Sequence, residues 1–260
     1  MSDFNENNKV VQANDLIQLS KWNLNAVPLK VFKALVSCID TKNPPKDNTV
    51  YISKQELFKC VGSNEHKSYD YLKQQVKSLQ SKIVTIPSKD GGVSTISLVP
   101  SVEWPREDSN KPIECMFNSK VMPYLIDMHE LFLQYDVSSL KNFKSKYGLI
   151  LYEYLLAEAR KEQSKYDDPK YIYSIAVDNL RRLTATENKL KNFKELNRKV
   201  VNQAVEDINS SGVEFLVKAT NNGKRGVKAT HVKFELRKRT SITETEFEVV
   251  AHPEWIHRPI

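Results

Sequence analysis

The stretch Leu190-Lys-Asn-Phe-Lys-Glu-Leu-Asn-Arg-Lys-Val-Val-Asn-Gln-Ala-Val-Glu-Asp-Ile208 carries more structural information than any other part of this 260-residue chain. Leu190, Phe193, Leu196, Val200, Val201, Ala204, Val205 and Ile208 recur at helical spacing and predict one amphipathic helix over 190–208. Its opposite face holds Lys191, Lys194, Glu195, Arg198, Lys199, Asn202 and Gln203. Arginine can pair bidentately with guanine, Asn and Gln with adenine, and lysine can neutralise phosphate. The same pattern also fits an ordinary solvated helix, so the neighbouring elements have to discriminate.

Upstream, 141–162 reads as a long helix with a wide apolar stripe, Tyr171 to Ile175 as a strand, and Val177 to Leu183 as a short helix bearing Arg181 and Arg182. Downstream, Val213 to Ala219 and Val227 to Leu236 read as strands joined by a turn-rich segment whose tip supplies Lys224, Arg225 and Lys228. Helix, strand, helix, helix and hairpin is the order of a winged helix. In helix-turn-helix proteins the first turns of the second helix enter the major groove, which singles out Lys191, Lys194, Glu195 and Arg198 as base readers. Arg181, Arg182 and the tip cations suit phosphate or minor-groove contact, although basic tips also keep strand edges soluble.

The first half repeats this order. Val11 to Ser20 reads as a short helix, Pro28 stands in the first turn of a helix whose apolar positions run on through Ile39, and Val50 to Ile52 is a strand. Ser53 and Glu56 form a capping-box signature ahead of a brief helix ending near Gly62. A helix follows over 65–81, then a hairpin of Ile83 to Ile86 and Val93 to Val99. Tyr69, Leu72 and Val76 recur as Phe193, Leu196 and Val200, each 124 positions on. The expected architecture is α+β, two tandem, pseudo-duplicated winged helices. Residues 1–10 are expected to be disordered, 11–136 to form the first unit, 137–239 the second, and 240–260 a tail. Lys67, Lys73 and Lys77 are the first unit's candidate phosphate contacts.

Charge separates the halves. Residues 1–136 hold 16 Lys+Arg against 16 Asp+Glu, so the whole formal excess of +7 lies in the second half. A neutral half beside a basic one suggests that the second half meets a polyanion, or merely a solubilising surface. Three scattered cysteines offer neither a disulfide framework nor a zinc pattern and suggest a reducing compartment. The polar, acidic opening Met1 to Asn8 predicts no secretory leader, and no apolar run predicts a membrane span. A cytoplasmic protein without membrane partner, metal or cofactor is expected. No Gly-rich phosphate loop or zinc-hydrolase motif is present, and the five histidines are dispersed, so no enzymatic role is expected.

The chain resembles the plasmid replication initiator (Rep) family of iteron-binding proteins. The resemblance lies in Val11-Gln-Ala-Asn-Asp-Leu-Ile17, Ser145-Lys-Tyr-Gly-Leu-Ile-Leu-Tyr-Glu-Tyr-Leu155, Val177-Asp-Asn-Leu-Arg-Arg-Leu183 and Phe193 to Asn209 with its closing Ala-Val-Glu-Asp-Ile-Asn. It covers roughly residues 10–237. It implies an initiator whose second winged helix reads direct repeats at a plasmid origin through Lys191, Lys194, Glu195, Arg198, Lys199 and Asn202. It implies a first unit that contacts the DNA backbone and supplies a dimer interface. Monomers would assist duplex opening with the host's replicative helicase and initiation proteins, and dimers would repress an operator. A winged-helix transcriptional regulator and a strand-nicking initiator are the competing readings.

Overall fold

The computed structural model describes residues 2–62, 69–88, 90–126, 131–161, 170–223 and 227–239. The expected tail over 240–260 and the candidates Lys67, Lys224 and Arg225 lie outside them.

In the first unit, β1 (Lys9–Ala13) leads into α1 (Asn14–Leu19), followed by α2 (Ala26–Val36), β2 (Thr49–Ile52), α3 (Lys54–Val61) and α4 (Tyr69–Ser81). The hairpin β3 (Ile83–Pro87) and β4 (Val93–Ser97) comes next. Beyond it lie β5 (Ser101–Glu103), β6 (Ile113–Met116), α5 (Pro123–Ile126) and β7 (Phe132–Asp136). The capping box forms as its residue types require: the Ser53 hydroxyl accepts from the Glu56 N–H (3.2 Å) and the Glu56 carboxylate accepts from the Ser53 N–H (2.9 Å). Gly62 closes α3 at φ +64°, where a Cβ would lie 2.6 Å from the Lys141 carbonyl oxygen, so only glycine fits.

Beyond β7 come a 3₁₀ turn (Val137–Asn142), α6 (Lys146–Lys161), β8 (Lys170–Ala176) and α7 (Val177–Leu183). A helix then runs unbroken as α8 (Phe193–Leu196), a π-helical segment (Asn197–Asn202) and α9 (Gln203–Ser210), before the hairpin β9 (Phe215–Asn221) and β10 (His231–Lys238). Here β8 pairs antiparallel with β10, which pairs with β9. The first unit departs from this plan: β2 pairs with β6 and not with its hairpin, leaving β3–β4 a separate ribbon. Two winged helices in tandem are present, with the β3–β4 and β9–β10 hairpins as their wings.

Three expectations need correction. Residues 2–10 are not a disordered lead-in. Lys9 to Ala13 pairs with Phe132 to Asp136, Asp3 donates its N–H to the Tyr51 carbonyl (2.7 Å), and Phe4 is buried. The strand partners of this segment lie over a hundred residues away, which local polarity does not reveal. Within 11–20 the helix covers only Asn14–Leu19, since the residues before it belong to β1. The long helix begins at Lys146, because the chain from 137 to 142 forms the tighter 3₁₀ turn.

Nor do the two halves have separate cores. One continuous apolar cluster runs from Phe4 to Leu236. Helix α6 is buried almost all round, with Leu149, Leu156 and Ala157 covered as fully as Ile150, Leu151 and Leu155, as expected of a helix enclosed on every side. At the centre, Lys33 and Glu153 (0% and 1% exposed side chains) form an ion pair at 2.8 Å. Gln12 accepts from Lys33 (2.6 Å) and donates to Glu153 (2.7 Å), and the Tyr135 hydroxyl donates to the same carboxylate (2.7 Å). The ammonium also lies 4.5 Å from the Trp22 ring centroid. Gln12, Trp22, Lys33 and Tyr135 lie in or between the elements from β1 to β7, and Glu153 lies on α6.

Candidate nucleic-acid interface

The helix from 193 to 210 presents the two faces its periodicity demands. Leu196, Val200, Val201, Ala204 and Ile208 are at most 1% exposed. Lys194, Glu195, Arg198, Lys199, Asn202 and Gln203 all face solvent. Among the described residues no hydrogen-bond or ion-pair partner engages the side chains of Lys194 and Arg198. Lys199 lies 3.5 Å from Glu195, one turn back, so these two partly neutralise each other. Asn197 donates to the Asn202 side-chain oxygen at 3.3 Å. That pairing spans five residues, within the wider turn of the π-helical segment carrying Arg198, Lys199 and Asn202. Such turns occur mostly as single-turn insertions and often at functional sites.

The helix begins three residues later than the periodicity predicts. Leu190 adopts φ +52°, and Asn192 is the N-cap, its side chain accepting from the Lys194 N–H at 2.8 Å. Lys191 therefore precedes the helix; it is exposed, and its carbonyl accepts from Arg181 (3.0 Å).

Arg181 and Arg182, half-exposed on α7, act as braces within the chain. The Arg181 guanidinium donates to the carbonyls of Lys189 (3.2 Å), Leu190 (2.8 Å) and Lys191 (3.0 Å), shaping the turn into the helix. Arg182 crosses to the first unit and donates to the carbonyls of Gln18 (2.7 Å) and Leu19 (2.6 Å), the orphan acceptors at the end of α1.

The most specific sequence stretches meet beneath this surface. Asp207 in the closing Glu-Asp-Ile-Asn accepts from the N–H groups of Lys144 and Ser145 (2.8 Å each), at the entrance to α6. Burial raises the pKa of Asp207 and these two hydrogen bonds oppose that shift. A Cβ on Gly148 would fall 2.1 Å from the Asp207 carboxylate, so the close approach requires glycine. Asn209 grips Val217 of β9 twice, accepting its N–H (2.8 Å) and donating to its carbonyl (2.9 Å). The motif thus fixes the exposed face against both α6 and the wing. Periodicity finds the exposed cations; it has no means of finding Asp207 and Gly148 as partners.

In the wing, Asn222 ties the strand ends together by accepting from Thr230 and His231, and Lys228 is exposed beyond them. In the first unit Lys77 is exposed on α4, whereas Lys73 is half-buried with its ammonium 4.4 Å from the Tyr69 ring centroid. The described residues contain no cluster of His, Cys, Asp and Glu suited to a metal, and no helix among them is long and apolar enough to cross a membrane.

Two family models match the chain: "Initiator Replication protein, WH1" over residues 9–156 and "Initiator Rep protein, WH2" over residues 176–236. A curated replication initiation protein of Escherichia coli is 24% identical over 204 residues, covering 77% of this chain and 62% of the relative, so this chain spans under two thirds of that protein. Among solved structures, the Pi initiator protein, crystallised in complex with iteron DNA, superposes with a TM-score of 0.72 at 19% identity over 90% of this chain and 99% of that one.

Proposed function

The chain belongs to the initiator Rep protein family, and from that premise we propose that it is a sequence-specific DNA-binding initiator of plasmid replication. It binds directly repeated double-stranded sites at an origin. It promotes duplex opening there and recruits the host's replicative helicase and initiation proteins. As a dimer it represses its own promoter. It works in the bacterial cytoplasm by binding and carries out no catalytic step of its own. Arg198, Lys194, Lys191, Glu195, Lys199 and Asn202 read bases in the major groove, while Lys77 and Lys228 meet phosphate. Lys67, Lys73, Arg181, Arg182, Lys224 and Arg225 are further phosphate candidates.

One observation carries this reading. A helix anchored by Leu196, Val200, Val201, Ala204 and Ile208, each at most 1% exposed, holds outward an arginine and a lysine with no partner among the described residues. Such a face retains its full capacity for an external anion or base edge. Footprinting on the DNA flanking the gene tests it, with regular protections about two helical turns apart as the expected result. Protection confined to a promoter without repeated sites would favour a transcriptional regulator. Supercoiled origin DNA incubated with the protein and a divalent metal should stay supercoiled; relaxed or covalently linked product would establish strand nicking.

A further inference from the structure

Three lysines outside the candidates named above lie near enough for the charges of two, Lys82 and Lys189, to act on the third, Lys146. Lys82 follows α4 directly, its N–H bonded to the Leu79 carbonyl (3.3 Å). Lys146 is the first residue of α6. Lys189 lies in the turn leading to the recognition helix, its N–H bonded to the Thr186 carbonyl (3.0 Å), two positions before Lys191.

Residues 21 and 22 stitch these places together. The Lys21 N–H donates to the Thr85 carbonyl of β3 and the Trp22 N–H to the Leu183 carbonyl at the end of α7 (3.2 Å each). The Lys21 ammonium pairs with Glu187 at 2.7 Å. The strand that starts one residue after Lys82 is thereby tied to the turn that carries Lys189. Glu187, the acidic residue of that turn, is already taken by Lys21. Among the described residues no carboxylate pairs with Lys82, Lys146 or Lys189. Lys146 is half-buried, its ammonium 5.0 Å from the Tyr147 ring centroid. Burial first, then the charges of Lys189 and Lys82, hold its pKa below the ordinary lysine value.

We propose that Lys82, Lys146 and Lys189 form a phosphate seat at the junction of the two units, receiving the DNA backbone that runs between the grooves addressed by α4 and by the recognition helix. This rests on the DNA-binding reading above. Like charges gathered without counter-ions destabilise the free protein, and a phosphodiester strand relieves that repulsion. The seat adjoins the base-reading face through Lys189, so one duplex can engage both. Its contribution is indifferent to sequence, because phosphate carries no base information.

The test uses the full chain and a fluorescent mixed-sequence duplex of about three helical turns, titrated across a salt series. In the triple variant Lys82→Gln, Lys146→Gln, Lys189→Gln, the slope of log affinity against log salt should fall by about one to three units, at about 0.9 for each phosphate left without its lysine. Its melting temperature should hold or rise, since repulsion has been removed. An unchanged slope overturns the seat while leaving the DNA reading intact. Failure of the unaltered chain to bind any duplex overturns both. If the triple variant melts lower, exposed Lys189→Gln alone decides. A slope reduced by about one unit supports the seat, and an unchanged slope refutes it.

Discussion

Lys30 is buried in the first unit with its ammonium on the carbonyls of Val61 (3.2 Å) and Lys141 (3.3 Å). Burial lowers its pKa from 10.5 to about 8. Between those values the unfolded chain binds the extra proton, so this group makes stability rise with pH from about 8 to 10.5. Urea midpoints across that range should show the rise in the unaltered chain and a flatter profile in Lys30→Met; parallel profiles would exclude Lys30 as the source. Arg198→Ala belongs to the same scale. It should weaken binding to a cognate repeat by about 1–3 kcal/mol and relax preference at one base, and equal losses on cognate and random duplex would count against base reading. The exposure of Lys194 and Arg198 is legible in the sequence because one helix settles it. The fate of Arg182 is not, since its acceptors lie more than 160 residues upstream.

Among elements, the helix from 193 to 210 owes its pose to Asp207. Asp207→Ala leaves the N–H groups of Lys144 and Ser145 without their acceptor and should cost about 2–6 kcal/mol in chemical denaturation, at roughly 1–3 for each orphaned group. Asp207→Asn keeps one acceptor oxygen and should recover part of that loss; equal midpoints for the two variants would discount the hydrogen bonds. The sequence predicts this helix and its polar face but places its start at Leu190. An apolar residue at the right spacing imitates one more turn and masks the cap that Asn192 provides. The second unit's strands and wing are legible because each is local: a strand, a turn and a strand. β1 is not, because its register depends on β7 and no turn joins them.

At the scale of the molecule, the two winged helices can be read from the order of elements, whereas their shared core cannot. Positions such as Leu149 and Ala157 look surplus to the stripe of α6, yet both are fully buried. The ion pair inside that core is a sensitive probe. Lys33→Met should destabilise the chain by about 3–5 kcal/mol by stranding the Glu153 carboxylate, and adding Glu153→Leu should restore a large part. A denaturation cycle with additive costs would mean that the two charges are uncoupled. The same enclosure of α6 limits how far such proteins can exchange parts. A chimera joined just ahead of α6 brings Glu153 into a foreign interior and keeps the pair only where the other relative places a lysine opposite it.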